Sequence, residues 1–250
     1  MTATTARATV SGSHRSLRLG TRGSPLALAQ AGQIARRLQE RSGRPAVLVT
    51  VATPGDGSTA PIERLGTTGV FTSTLREALL RGGVDALVLA MAGLSRLGML
   101  HAVASPLDPS VLMPAPAQGV LAVECRSDDP ATAAEVSALD HAPTRAAATT
   151  ERGFLAGLGT GCSVPAGALA VPAPGPGGEP AVRVSGVIAA ADGSTVIRGR
   201  VTGPAGDPLG RQLARILLQH GGAAPLDQAP AAPADSELSY RRFFRLVRAG

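Results

Sequence analysis

Few residues in this chain can do more than pack. Cys162 stands apart among them. It lies in GTGCSVPAG (159–167), a glycine-rich turn just after a helix-like stretch. The spacing leaves three readings open: an inert packing residue, a reactive thiol, or an attachment point. A thiol in such a turn is accessible, and covalent anchoring needs only access and an occasional thiolate. No His or acid adjoins it, so a Cys–His pair has no local support. The four His and two Cys are too scattered to suggest a four-ligand zinc site. The other thiol, Cys125, sits in the apolar run VLAVEC and reads as a small core residue.

A second group is Arg22-Gly23-Ser24-Pro25, between a strand-like and a helix-like segment. The N–H groups of a helix start, with Arg22 beside them, suit an anion. Ser24 as a plain N-cap explains the same residues. GTRG lacks the G-x-G-x-x-G spacing of a dinucleotide loop. In GDGS (55–58), Asp56 reads as a turn residue. LGTTGVF (65–71), with Thr68 at its centre, is a glycine-bounded loop that could approach a ligand closely. In PAPAQGVLAVECR, Gln118 stands at a strand entrance, where open sheets bind ligands.

Composition narrows the partners. The chain has 250 residues and a net charge of +6, and all of its basic residues are Arg. A guanidinium fork holds carboxylates bidentately, which favours a carboxylate ligand. The arginines are dispersed and have no interleaved aromatics, so the chain does not read as a nucleic-acid binder. No apolar run reaches about 18 residues, so no membrane span is expected. The polar start, residues 1–15, reads as a disordered leader without a signal region. These features point to the cytoplasm.

The elements that must position these residues follow from periodicity. LRLG (17–20) is a strand. A helix starts at Ser24-Pro25, carries Ala27, Ala31, Ile34, Ala35 and Leu38 on one face, and stops at Gly43. AVLVTVAT (46–53) and VDALVLAMAG (84–93) read as buried strands. FTSTLREALLRGG (71–83) and LSRLGML (94–100) read as helices. This βαβαβ order predicts a mostly parallel α/β sheet over 16–130 with helices on its faces. Further on, 118–126 is a strand, and 130–139 and 143–158 are helices. PAGALAV, AVRVSGVIAA and TVIRGRVTG then form a three-stranded antiparallel sheet, with ADGS (191–194) as a hairpin turn. A closing helix from Asp207 completes a small α+β domain over 140–222. PAPGPGGEP (172–180) reads as a mobile loop and 223–235 as a linker. The tail, 236–250, read as a helix, is basic and amphipathic; a frayed end explains it, and so do docking of a protein partner or a membrane surface.

Taken in order, LRLGTRGSPLALAQ, ATPGD, LGTTGVFTSTLREALLRGGVD, LVLAMAGLSRLGM, LMPAPAQGVLAVECRSDD, TTERGFLAGLGTGCSVPAGA and GSTVIRGRVTGP resemble the porphobilinogen deaminase, or hydroxymethylbilane synthase, family over residues 16–222. The resemblance implies doubly wound, periplasmic-binding-protein-like α/β sheet domains, incomplete in this chain, and a small α+β domain. It implies a transferase of tetrapyrrole (haem) biosynthesis. Four porphobilinogens are condensed, with release of ammonia, on a dipyrromethane cofactor held as a thioether. Cys162 matches the anchoring cysteine, and Arg22 and Ser24 match cofactor- and substrate-binding residues. Thr68 stands where the family loop GGKGLF has lysine. Ala117 replaces a glycine of the family's PAPGQG, next to Gln118.

The resemblance also implies a gap. The family's strand of the type DIAVHSLKDLP, with the catalytic Asp, has no match here. LLRGGVD runs straight into ALVLAMAGLSRLG, and the SSLRR- and RGNVDTRL-type arginines are missing as well. No catalytic acid is therefore assigned. Beside the family activity stands an alternative: a shortened relative that holds a pyrrole or a partner protein without turnover.

Overall fold

A computed structural model describes residues 16–51, 80, 82, 85–159, 165–190, 192–227 and 245–247. The leader, Asp56, Thr68, Cys162, nearly all of the 71–83 segment and most of the tail lie outside the described residues. The chain divides into two units, residues 1–71 and 72–250.

The first unit holds a parallel βαβ unit. Strand β1 (Leu17–Thr21) pairs in parallel with β2 (Ala46–Thr50), and helix α1 (Pro25–Ser42) connects them. The helix begins and ends where its sequence requires. Ser24 is the N-cap and Pro25 the first helical residue. Gly43 takes the left-handed conformation (φ 69°) and donates its N–H to Gln39 O at 2.9 Å. Ile34, Ala35 and Leu38 are buried, as the periodicity predicts. The buried-strand reading of 46–53 needs correction. Val47, Leu48 and Val51 are exposed. Among the described residues β2 has one strand neighbour, and a two-stranded sheet cannot bury both faces.

In the second unit, residues 86–90 have no regular structure, and Val88 is 67% exposed. The strand expected over 84–93 is absent. An apolar run becomes a strand only beside another strand, and no described strand lies alongside. Helix α2 (Met91–Arg96) starts instead, and a 3₁₀ turn follows at Leu100–Ala102. Strand β3 is limited to Leu121–Val123. Cys125 lies past its end and is half-buried, not a core residue. Helix α3 (Pro130–Ser137) is capped by Asp129, whose side chain accepts the Thr132 N–H at 3.0 Å.

The C-terminal part is the well-packed one. Helix α4 (Ala142–Gly157) leads to strands β4 (Ala166–Pro174), β5 (Pro180–Ala189) and β6 (Val196–Gly203), joined antiparallel in that order. The expected three-stranded sheet is present. Residues 172–180 are not a mobile loop. Pro172–Pro174 are strand, and Gly175 N–H donates to Glu179 O at 2.8 Å to close a tight hairpin. Helix α5 (Asp207–Leu217) packs with α4 on one face of the sheet. Phe154, Val184, Ile188, Leu213 and Leu217 are essentially fully buried there. Each such side chain contributes roughly 1.5–3 kcal/mol by leaving water. A π-turn (Leu218–Gly222) and helix α6 (Ala223–Asp227) follow. The linker reading of 223–227 is corrected because Leu226 packs on this core.

In the tail, Arg245–Val247 form strand β7, antiparallel to β3, with Leu121 opposite Val247. The helical reading fails for these three residues. Among the described residues no helix is long and apolar enough to cross a membrane.

Helices α4 and α5 touch through glycines. A Cβ on Gly210 would overlap the carbonyl oxygen of Thr150, and one on Gly157 would come within 2.7 Å of the Ala214 Cβ. Gly210→Ala gains helix propensity worth up to about 1 kcal/mol. The overlap opposes that gain and wins, since overpacking costs roughly 1–3 kcal/mol or more. Chemical denaturation of Gly210→Ala is therefore expected to show a net loss of stability. An unchanged or raised midpoint would mean the two helices are not in backbone contact.

Candidate functional site

Two groups of sequence-predicted residues can be placed, one in each unit. The first is the β1–α1 junction. Thr21 Oγ1 donates to Ala27 O at 3.2 Å, which folds the loop over the start of α1. Gly23 lets the loop pass close to β2, since a Cβ there would lie 3.4 Å from Thr50 Cγ2. Ser24 Oγ accepts the Ala27 N–H at 3.4 Å, so this hydroxyl is a cap. No acidic residue stands in the first turn of α1. No acidic side chain of the helix's own first turn offsets its positive end, and the half-buried Arg22 stands two residues upstream of the cap. Chemically, this junction suits an anion.

The second group is the turn that carries Gln118. Gln118 N–H donates to Ala115 O at 3.0 Å and Val120 N–H to Ala117 O at 3.2 Å. Ala117 and Gly119 both have positive φ, 62° and 85°, and Gln118 between them is exposed. Ala117 is the one non-glycine residue with positive φ among the described residues. Pro114 O accepts the Ala168 N–H at 3.0 Å, which ties the segment to β4.

Sequence reasoning missed the two charged residues that hold this turn. Glu151, on α4, is 6% exposed. Its Oε2 accepts the Ala117 N–H at 2.6 Å, and its Oε1 accepts the Ala170 N–H at 2.7 Å. Arg96, on α2, donates from its guanidinium to Gly119 O. Its partly buried position lowers its pKa from the ordinary value. A signal for Glu151 exists in the sequence: it falls on the helical stripe Thr144, Ala148, Glu151, all buried, where an apolar residue is the rule. Arg96 leaves no such signal, because its acceptor is a backbone carbonyl 23 residues away.

Cys162 and Thr68 lie outside the described residues. The flanks of Cys162 are well fixed, with Phe154 and Leu158 in the core before it and Ala168 and Ala170 after it.

Comparison with known proteins decides the family. Residues 17–88 and 81–134 match the profile of the "Porphobilinogen deaminase, dipyromethane cofactor binding domain", and 146–219 match the family's C-terminal domain. The chain belongs to the porphobilinogen deaminase family. It is 36% identical to the porphobilinogen deaminase of Nocardia farcinica, over 82% of this chain and 86% of that protein. Porphobilinogen deaminase 1 of Streptomyces coelicolor is 32% identical (84% and 97%). The Mycobacterium avium porphobilinogen deaminase is 34% identical (87% and 99%). These relatives tie the chain to tetrapyrrole biosynthesis and to a transferase class, and its matched domain is the one that binds dipyrromethane.

The same comparisons locate a gap. The Nocardia farcinica alignment has 303 positions, yet only about 205 residues of this chain (82% of 250) take part. Close to 100 positions therefore have no residue here. The two stretches of the cofactor-domain match meet and overlap at 81–88. That is the join between LLRGGVD and ALVLAM.

Burial raises the Glu151 carboxyl above its ordinary value of 4.5, against the opposing effect of the Ala170 and Ala117 N–H bonds. Its folded value exceeds its unfolded one, so the stability linked to it is full below pH 4.5 and is lost as pH rises through the folded value. Thermal unfolding of the parent chain should lose stability across that window relative to Glu151→Gln. Parallel pH profiles for the two proteins would remove the burial argument.

Proposed function

We propose that this chain is a hydroxymethylbilane synthase-type protein that keeps the cofactor-anchoring half of the family's machinery and has lost most of its turnover. The observation that carries this is the internal gap at 81–88, between two matched stretches of one domain profile. By the resemblance, the general acid and most of the carboxylate-binding arginines belong to the stretch that is missing. General acid catalysis contributes roughly 10²–10⁴-fold, and preorganised electrostatic contacts about 10²–10³-fold more. Their joint loss takes turnover down by at least about 10⁴.

The residues present fit the cofactor in kind. Pyrrole acetate and propionate groups need cationic and N–H donors. Arg22 and the first turn of α1, which carries no acidic residue, are of the types that supply both. We assign Cys162 the thioether, and Arg22 with the Ser24-capped helix start the cofactor carboxylates. Thr68 and Gln118 are assigned the incoming porphobilinogen. When bound, the cofactor supplies a free pyrrole carbon as primer. The chain's own residues bind and orient carboxylates and keep the anchor in place. We further take the first domain (16–130) as an incomplete doubly wound sheet, and 140–222 as the anchoring domain. We place the protein in the cytoplasm. A protein partner would be sought at 236–250, where Arg245–Val247 are already paired with β3.

Two measurements on the purified full chain test this. Intact mass spectrometry, from a host that makes the cofactor, is expected to show dipyrromethane that Cys162→Ser abolishes. Porphobilinogen consumption is expected at least about 10⁴-fold below that of the Nocardia farcinica relative. Robust hydroxymethylbilane formation that depends on Cys162 would overturn the loss of turnover. An unmodified thiol would overturn the anchor and leave the partner-binding alternative.

A further inference from the structure

We infer that Glu151 and Arg96 are positioning residues for Gln118, acting through the backbone of the turn that presents it. This rests on the reading of Gln118 as a pyrrole-binding residue. The geometry is a clamp of opposite charges. An anion takes the N–H on one side of Gln118, at Ala117. A cation takes the C=O on the other side, at Gly119. Gln118 itself is left exposed between two residues of positive φ.

Three observations make this more than local packing. First, an L-residue with a Cβ rarely adopts positive φ, yet Ala117 does, at 62°. Something outside the turn must hold it there, and its N–H is the group that Glu151 holds. Second, the carboxylate is split. One oxygen serves the turn and the other serves Ala170 on β4. Moving the turn alone would strand a buried charge with half its partners. Third, a well-packed apolar side chain at such a buried position is commonly as stable as a buried charge, or more so. No charged side chain contributes to the shift of Glu151 among the causes found; burial and the two N–H groups account for it. The carboxylate is there for the backbone it holds.

Gly119 completes the clamp. Its φ of 85° suits glycine, and a Cβ there would meet the Ala92 Cβ at 3.0 Å. The turn therefore sits tight on α2, the helix that carries Arg96. Gly167 similarly admits the preceding segment, since a Cβ on it would lie 2.9 Å from Pro114 O. The position of Gln118 relative to β4 is fixed at both ends.

The test is hydrogen exchange on the full chain, read at the Gln118 and Val120 amides. Glu151→Gln offers one acceptor where two are needed, so both amides should exchange about tenfold faster while those of Leu213 and Ala214 in the core keep their protection. Adding Ala117→Gly removes the conformational demand and should restore protection. Arg96→Gln should loosen the same amides from the other side, and it reads the clamp even if Glu151→Gln fails to fold. Unchanged exchange in both single variants would overturn the clamp. So would loosening that spreads evenly through the core without rescue by Ala117→Gly. Calorimetric titration with porphobilinogen separates the underlying reading. Weaker binding by Glu151→Gln, restored by Ala117→Gly, is expected. If Gln118→Ala binds as tightly as the parent, the pyrrole-binding reading of Gln118 fails while the exchange result still judges the clamp.

Discussion

A single buried carboxylate joins three parts of this chain that are far apart in sequence. Glu151 sits on α4, and its two oxygens reach a turn at 117 and a strand at 170. Removing such a group from water is costly unless each oxygen finds a donor. The cost is offset only when the turn and β4 are both in place, so one side chain enforces their mutual position. The sheet begins beside that point, and Cys162, the proposed anchor, lies in the segment between α4 and β4. Whatever Cys162 holds is thus tethered to a frame whose geometry an internal ion pins.

The frame itself is built without bulk. Aromatics make up 2% of the chain, and Phe154 is the one aromatic in the described core. Close approach substitutes for size. Gly153, Gly157 and Gly210 let α4 and α5 meet backbone to backbone. Gly186 and Gly199 open space on the sheet: a Cβ on Gly186 would lie 3.0 Å from Phe154 and Leu213, and one on Gly199 would lie 2.7 Å from Leu217. Interior packing density depends on interdigitation rather than on large residues. A chain rich in Ala, Gly and Val meets it by drawing helices inward. This explains why the glycines here are steric requirements and not turn punctuation.

Local features of the fold were legible in the sequence, and features that depend on distant partners were not. The Ser24-Pro25 start and Gly43 stop of α1 are local, and so are the Asp129 cap and the three antiparallel strands. Each is set by residues within a few positions of the feature. Burial of 46–53 and 84–93 is different. Those runs have the composition of buried strands, but a strand is buried only by its neighbours. The tail failed for the same reason: Arg245–Val247 are a strand because β3 offers them an edge. Arg22, Ser24, Thr68, Gln118 and Cys162 stand out as candidates by type and resemblance. Glu151 left one trace, a charge on the buried stripe of α4, but its partners and those of Arg96 are backbone atoms that no residue type at 117, 119 or 170 announces.

The exposed apolar residues are distributed in a way that bears on function. Of the 12 large ones among the described residues, seven (Leu80, Val88, Met91, Leu100, Leu107, Val111 and Leu112) fall within 80–112, directly around and after the gap. Four more (Leu28, Val47, Leu48 and Val51) belong to the βαβ unit. The C-terminal sheet domain contributes only Val196. Its core of Phe154, Val184, Ile188, Leu213 and Leu217 closes on itself and needs nothing from the missing stretch. Holding a cofactor depends on a stable anchor domain. Turning substrate over depends on an acid and a set of cations arranged around the reacting carbon, drawn from several segments at once. A gap of roughly 100 positions relative to the Nocardia farcinica protein bears on the second requirement, as proposed above, while the described sheet domain keeps a packed core of its own. Attachment and catalysis therefore make separable physical demands on this fold, and the proposed loss of turnover rests on that separation.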